Sequence, residues 1–391
     1  MKKNEKIFNL IKTSNGVKMI YLANARIPTE KAHGRQIMKM GEAFAEAEVE
    51  LGLIVPWRFS KIKASPFSFY GVREKFRITK IFSLDLVNFG RAGFWIQIIS
   101  FLAAAKIYLV FRRYDILYTR EQLAGLFFKD FILELHSLPE NISEIHKKIW
   151  AKAKKLIVLT DFIKNGLIES GISADKILIA PDGVDLKEFD ISMTKEQARG
   201  KLDLPKGGVI LGYTGSFKTM GMDKGISDIL EALKIILNSR QDILFLAIGG
   251  NEADISYYGE MAKNLGVENN IFLIPRVGMK ELAVYQKACD ILLMPFPYKK
   301  HYAFYMSPIK MFEYMASRRP IITSDLPAVR GILNEDNAFF VKPDDPESLA
   351  KGIKGVLQNR ALADKILKKA YQDVKDYTWE KRAINIIKFI K

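Results

Sequence analysis

Short runs of β-branched and aliphatic residues alternate along almost the whole chain with longer segments whose apolar residues recur at helical spacing. The runs fall at 17–23, 49–56, 115–120, 131–136, 156–160 and 177–180. A second set falls at 209–213, 243–249, 271–275, 291–295, 321–324 and 339–341. Amphipathic segments such as 34–47, 224–238 and 280–288 lie between them. A strand that must cross over through a helix before the next strand builds a parallel sheet covered by helices. The alternation breaks at 185–208, where charged Lys187-Glu188, a helical stretch at 194–202 and Leu204-Pro205-Lys206-Gly207-Gly208 read as a connector. Cores rarely grow past ~250 residues, so 391 residues divide into about two domains. Two doubly wound α/β domains are expected, with ligands beyond the carboxyl ends of the strands and in a cleft between the domains.

Composition narrows the chemistry. Cys289 is the only cysteine, which leaves no intramolecular disulfide and suits a reducing compartment. With it stand only His33, His136, His146 and His301, and no zinc-type spacing joins them. Residues 1–17 are basic and lack an apolar run long enough for a signal peptide. The run 94–111 is apolar but is interrupted by Gln97 and Lys106. A span needs ~20 mostly apolar residues, so a buried or interfacial helix is expected there. The net charge is +16, and residues 51–113 hold eleven Lys/Arg against Glu74 and Asp85. Aromatic residues such as Trp57, Phe59, Phe82, Phe89, Phe94 and Trp95 interleave with these charges. The pattern suits an anionic membrane surface or a phosphorylated partner better than a plain solvated face, which is the alternative. Single-stranded nucleic acid takes the same residue types, but no nucleic-acid motif accompanies them.

Chemistry concentrates in the second half. In Ser307-Pro308-Ile309-Lys310-Met311-Phe312-Glu313-Tyr314-Met315-Ala316, Ser-Pro reads as a helix cap followed by Pro at the first helical position. Lys310 and Glu313 then share a helix face near that N-terminus. The helix dipole and Lys310 favour an anion, and Glu313 suits hydroxyl groups of a polyol. Upstream, Tyr213-Thr214-Gly215-Ser216 ends a strand and Asp223-Lys224-Gly225 opens a helix, a turn that lets backbone and a lysine approach a phosphate. Gly249-Gly250 ends the following strand. Neither a G-x-G-x-x-G dinucleotide fingerprint nor a Walker P-loop is present.

These blocks resemble the family 4 retaining glycosyltransferases (the group 1 glycosyl transferases). The resemblance rests on Gly215-Ser216 with Lys224-Gly225, on Ser307 to Ala316, and on Arg319-Pro320-Ile321-Ile322-Thr323-Ser324-Asp325. Ala180-Pro181-Asp182-Gly183-Val184-Asp185 is similar to the family's linker. It implies a GT-B fold, with residues 1–190 as the acceptor domain, 191–375 as the donor domain and a helix at 376–391 packing back on the first. It also implies that Lys224 and Lys310 lie by the donor diphosphate, that Glu313 holds the ribose, and that Ser307, Pro308 and Ile309 form the anion-binding helix start. Gly215, Ser216, Gly225 and the base loop at Arg276-Val277 complete the donor side. Gly34 matches a donor-facing loop near the N-terminus. His136, just past a strand, can donate to a sugar hydroxyl or titrate near neutrality, and it matches the active-site histidine of the first domain. Arg120, which closes a strand, is a further cleft candidate. Tyr305 stands where many members carry an acidic residue, and Ser216 where many carry Arg.

The implied activity is transfer of a hexose-type sugar from a UDP- or GDP-sugar to a hydroxyl of a glycan or lipid-linked acceptor. No permanent cofactor, no metal and no nucleic-acid partner are expected. The setting is cytoplasmic, peripheral on the inner face of the membrane through 51–113. A nucleotide-sugar epimerase on the same fold and a non-catalytic partner subunit are the alternatives.

Overall fold

The structure is a computed structural model in which residues 16–391 are described. The reading of residues 1–17 concerns, as far as residue 15, residues outside these. The chain forms two compact units. One runs up to Pro181 and takes back Trp379–Lys391, and the other is Asp182–Thr378.

The first unit is built on β1 (Lys18–Leu22), β2 (Glu50–Pro56), β3 (Arg77–Ile81), β4 (Ile116–Thr119), β5 (Ile132–Leu135), β6 (Lys155–Val158) and β7 (Ile177–Ile179). They pair in the order β3-β2-β1-β4-β5-β6-β7, all parallel. The order reverses between β1 and β4, which is where a doubly wound sheet opens a ligand crevice. Helix α1 (Ala32–Glu46) is buried along most of its length, from Gly34 to Phe44. Helix α2 (Gly90–Val110) is long and apolar enough to cross a membrane by length and composition. Its Gln97, Phe101, Leu102 and Ala105 are nonetheless buried in the unit, while Phe94, Trp95, Ile99 and Ile107 are exposed.

In the second unit a six-stranded parallel sheet has the order β12-β11-β8-β13-β14-β15. Its members are β8 (Val209–Thr214), β11 (Ile243–Gly250), β12 (Ile271–Pro275), β13 (Ile291–Met294), β14 (Ile321–Ser324) and β15 (Phe339–Val341). A two-residue hairpin, β9 (Lys218–Thr219) with β10 (Met222–Asp223), follows β8. All six residues of β8 are buried, as a central strand covered on both faces requires. Helices α3 (Ile226–Leu237) and α4 (Ile309–Ser317) pack into two separate apolar clusters. Helix α5 (Trp379–Ile390) then returns to the first unit, burying Trp379, Ala383, Ile386 and Ile387 and packing on α1.

Three features differ from the sequence reading. Strand β3 lies at the sheet edge and carries Arg77 and Lys80 outward, so its charges masked it within the basic segment. The hairpin β9–β10 is too short for periodicity to mark. The stretch 185–208 is built into the second unit instead of standing free. Phe189 is buried in that unit's core, and Arg199, 1% exposed, donates to the carbonyls of Ala288, Lys206 and Gly208.

Candidate functional site

The second unit gathers most of the expected donor residues at the carboxyl ends of β8 and β13. Beyond Thr214 the backbone turns through Gly215 at φ +107. A Cβ built on Gly215 would stand 3.4 Å from Cε and 3.5 Å from Nζ of Lys310, so the lysine lies over this bare backbone. Gly249, at φ +117, packs directly on the Gly215 backbone and makes the close approach possible. Asp223 holds the start of α3 by accepting from the backbone N–H of Gly225, Ile226 (2.8 Å) and Ser227. Its Oδ2 also accepts from the Tyr258 hydroxyl at 2.6 Å. Gly225 takes φ +94, and a side chain there would collide with the Pro295 carbonyl.

This scaffold fixes Lys224, whose Nζ donates to Ser216 Oγ at 2.9 Å. Burial pushes its ammonium down to about 8, and Arg276 adds repulsion. Lys310 is 8% exposed. Among the described residues its Nζ has no hydrogen-bond partner, and it stands 3.5 Å from the centre of the Tyr213 ring. Burial holds its pKa well below the usual ammonium range; Lys224 adds to this and Glu313 opposes it. Lys224, Lys310 and Arg276 are therefore crowded basic groups at a glycine turn, which is chemistry for a multiply charged anion. His301, in a single π-turn (His301–Tyr305), joins them. Burial lowers its pKa and Lys224 lowers it further.

Helix α4 begins at Ile309, with Pro308 in the capping position and no side-chain cap. Ser307 is therefore not the cap that Ser-Pro suggested. Its Oγ accepts from the Asp182 N–H at 2.8 Å, across 125 residues of sequence, so the loop before α4 is tied to the start of the second unit. Tyr314 explains the placement of the helix. Its hydroxyl accepts from the Thr214 N–H at 2.8 Å, which pins α4 to the end of β8. Lys310, four residues earlier, then shares that face and reaches Gly215. Glu313 is 4% exposed. Val277 packs partly buried against the apolar core, beside Arg276 in the turn after β12. Tyr305 is buried where the acidic residue was absent.

The expected residues of the first unit form a separate network. Strands β4 and β5 are neighbours in register, Thr119 opposite Leu133, so Arg120 and His136 emerge together beyond their carboxyl ends. Arg120 Nη2 lies 3.1 Å from His136 Nδ1, and His136 Nε2 lies 2.6 Å from Glu134 Oε1. A guanidinium only donates, so Nδ1 is bare and the proton sits on Nε2, facing the carboxylate. Glu134 is 1% exposed and also accepts from the Tyr118 hydroxyl, Arg382 Nη2 (3.1 Å) and Gln36 Nε2 (3.3 Å). Burial alone would raise its pKa, but Arg382 and the bond from His136 outweigh this and hold it well below the carboxylate range. His136 is pushed down to about 4, first by burial and then by Arg120. The ring is thus neutral at pH 7, and both nitrogens are engaged within the protein. The expectation of a histidine titrating near neutrality, with a nitrogen open to a sugar hydroxyl, does not match this geometry. His33 is likewise lowered to about 4 by burial, with Arg120, Lys31 and Arg26 adding.

Gly34 lies in the first turn of α1, not in a loop. A Cβ there would meet the Tyr70 hydroxyl and Thr29. Tyr70 accepts from the Thr29 N–H at 2.7 Å and donates to the Thr29 carbonyl at 2.6 Å, which leaves a packing reason for this glycine. Sequence reasoning passed over Glu134, Arg382, Gln36 and His301. Glu134 left a signal, a carboxylate inside the apolar strand Ile-Leu-Glu-Leu, which demands a buried partner. Among the described residues no three His, Cys, Asp or Glu side chains converge to hold a metal ion.

Residues 194–373, a little under half of the chain, match the family model described as glycosyl transferases group 1. An uncharacterised glycosyltransferase of Methanocaldococcus jannaschii is 25% identical over 222 residues, covering 55% of this chain and 54% of that protein. The match therefore spans about half the length of that relative. The capsular polysaccharide biosynthesis glycosyltransferase CapM of Staphylococcus aureus is 22% identical over 376 residues, covering 93% of this chain and 90% of that one. Among solved structures, sucrose-phosphate synthase from Thermosynechococcus elongatus gives a TM-score of 0.77 at 20% identity, covering 95% of this chain and 98% of that one. The Anabaena protein HepE, in complex with UDP, gives 0.71 at 14% identity with 95% and 99% covered. The two parallel-sheet units have the GT-B fold.

Proposed function

We propose that the chain is a retaining glycosyltransferase, moving a hexose-type sugar from a nucleoside diphosphate sugar to a hydroxyl of a glycan or lipid-linked acceptor. The observation that carries this reading is the amino group of Lys310. It is buried and unpaired beside Gly215, within the segment that matches the group 1 model. A buried amine with no hydrogen-bond partner is costly unless a ligand supplies one. A diphosphate at the Gly215 turn answers Lys310 and Lys224, and Glu313 accepts from the ribose hydroxyls. As the bond from the anomeric carbon to the phosphate oxygen breaks, charge builds on the leaving diphosphate, where the two lysines stabilise it most. The acceptor hydroxyl attacks from the same face and gives its proton to the departing phosphate oxygen. Most of the acceleration then comes from preorganised charge and positioning.

CapM supports a glycan acceptor, and the HepE complex makes UDP the first nucleotide to try. The exposed Trp57, Phe59, Phe82, Phe89 and Trp95 beside the basic residues of 51–113 support peripheral attachment to the inner face of an anionic membrane. The test of the main reading is a thermal-shift screen against UDP, GDP and their sugars, followed by transfer assays whose product is read by its anomeric NMR coupling. Stabilisation by one nucleotide and a product of retained configuration are expected. No stabilisation by any nucleoside diphosphate at saturating concentration overturns the reading. Sedimentation with vesicles tests the attachment: equal binding to anionic and zwitterionic lipid removes it.

A further inference from the structure

Among the described residues Glu134 is the one carboxylate hydrogen-bonded to His136, and its counter-charge comes from a distant part of the chain. Arg382 on α5 donates from Nη2 to Glu134 Oε1 at 3.1 Å and from Nε to the carbonyls of Ala180 (3.1 Å) and Pro181 (2.9 Å). With 5% exposure it is locked between the end of the β7 segment and the buried carboxylate. A buried carboxylate 2.6 Å from an imidazole ordinarily draws a second proton onto the ring and makes an ion pair. Here burial and Arg120 weigh most against a second proton on the ring, and the Arg382 guanidinium balances the carboxylate charge that would favour one. Nδ1 keeps its lone pair, and that lone pair holds Arg120 Nη2 at 3.1 Å. The Nη1 of Arg120 is buried at the carboxyl ends of β4 and β5, with the Tyr21 hydroxyl as its neighbour, and among the described residues it meets no well-aligned hydrogen-bond partner.

We infer that Arg382 is a positioning residue that acts through Glu134 to hold His136 as the neutral Nε2–H tautomer and so keeps Arg120 in place to bind an oxygen of the substrate. The charged groups that act on the ring are Glu134 on β5, Arg120 and Arg382; Tyr118 on β4 bonds Glu134, Tyr21 on β1 lies near Arg120 and Glu134, and His33 at the start of α1 feels Arg120. Of these, Arg120 and Arg382 disfavour a ring cation and Glu134 favours it. Loss of Arg382 leaves the Glu134 charge without its arginine counter-charge, opposed at the ring by burial and Arg120. The ring then gains a proton on Nδ1, which cannot accept from Arg120, and Arg120 is released.

The inference about the substrate rests on the proposed transferase reading, but its central test does not. Nitrogen-15 NMR of the histidine rings in the full chain, without ligand, reads the tautomer directly, with His136 identified by its loss in H136Q. In the wild type His136 stays neutral and Nε2-protonated from about pH 5.5 to about pH 8. A wild-type ring that titrates in this window overturns the inference. R382Q keeps donors for the carbonyls but loses the charge, and its His136 is expected to titrate within the window. R382K keeps the charge and is expected to preserve the wild-type tautomer. An R382Q ring that stays neutral, or an R382K ring that titrates, overturns the inference, and R382K decides alone if R382Q does not fold. In transfer assays R382Q is expected to lose about tenfold or more in kcat/KM, with R382K restoring most of it. Wild-type kcat/KM in R382Q alongside a titrating ring overturns the link to substrate. A wild type that transfers no sugar refutes the transferase reading and leaves the NMR result standing.

Discussion

The Nζ of Lys310 sits 3.5 Å from the centre of the Tyr213 ring, over the face of the aromatic, and makes no hydrogen bond among the described residues. The ring face favours a cation while burial opposes one, so the amine is held in waiting for a stronger counter-charge. Lys224 beside it is lowered to about 8. A diphosphate restores both ammonium groups, and any proton they lack must come from solvent. Calorimetric titration of UDP or GDP near pH 8, in two buffers of different ionisation enthalpy, is expected to show net proton uptake. Affinity should weaken as the pH rises above about 8, because the free protein then holds fewer protons at Lys224. Binding heats that do not depend on the buffer would refute this.

Replacing Lys310 by Met separates stability from function. The variant keeps the apolar stem against Tyr213 and Phe296 and removes a buried amine with no partner. We expect K310M to unfold at a higher temperature than the parent, by roughly 1–2 kcal/mol in stability. Its transfer rate should fall about 10²–10³-fold, the loss typical of one preorganised charge-stabilising group. Calorimetry and initial rates measure the two effects on one preparation.

Three glycines in the second unit should respond differently to alanine. At Gly225 both the backbone, at φ +94, and the Pro295 carbonyl forbid a Cβ, so G225A should cost more than about 3 kcal/mol. At Gly221, φ is +76 but the space is open, and the cost should stay at about 1–2 kcal/mol. Gly200 lies within the helix Lys195–Lys201 with nothing near it, and G200A should gain about 0.5–1 kcal/mol. Urea midpoints at constant slope rank the three, and any other order counts against the backbone description.

Stability on acidification follows from the two lowered histidines. His33 and His136 are held at about 4 against an ordinary value of 6.5, so between these values the unfolded chain binds protons that the native chain refuses. Stability then rises with pH across that window and is lost as the pH falls from about 6.5 toward about 4. Urea unfolding at intervals across this range should show the decline, and it should be shallower in H136Q, which cannot take up the proton. A decline of equal slope in H136Q would show that the ring does not contribute.

The alternation of strands and helices was readable because parallel strands buried on both faces leave continuous apolar runs such as β8 and β14. The cationic corner was readable for a similar reason: Gly215, Lys224 and Lys310 leave marks of residue type that no core position needs. Contacts across long sequence separations were not readable. Ser307 looked like a cap because nothing in Ser-Pro reveals that its hydroxyl meets Asp182. His136 looked open because Arg120 meets it, and Arg382 meets its partner Glu134, only through the fold. Gly34 looked like a loop residue because the Tyr70 hydroxyl that excludes a side chain lies beyond β2 in the chain.

Glu134 and Arg382 are 248 residues apart, with the whole second unit between them. On a ribosome the carboxylate therefore leaves the exit tunnel long before its guanidinium is made. At ~5–20 residues per second the delay is about 10–50 s. Throughout it the nascent first unit holds an acidic group with no arginine from α5 to meet it, and α1 lacks the helix that covers it. The seven-stranded sheet must wait, partly uncovered, while the six-stranded one is completed. Folding during synthesis is thus obliged to run out of chain order, and the half that appears first is the half that is finished last.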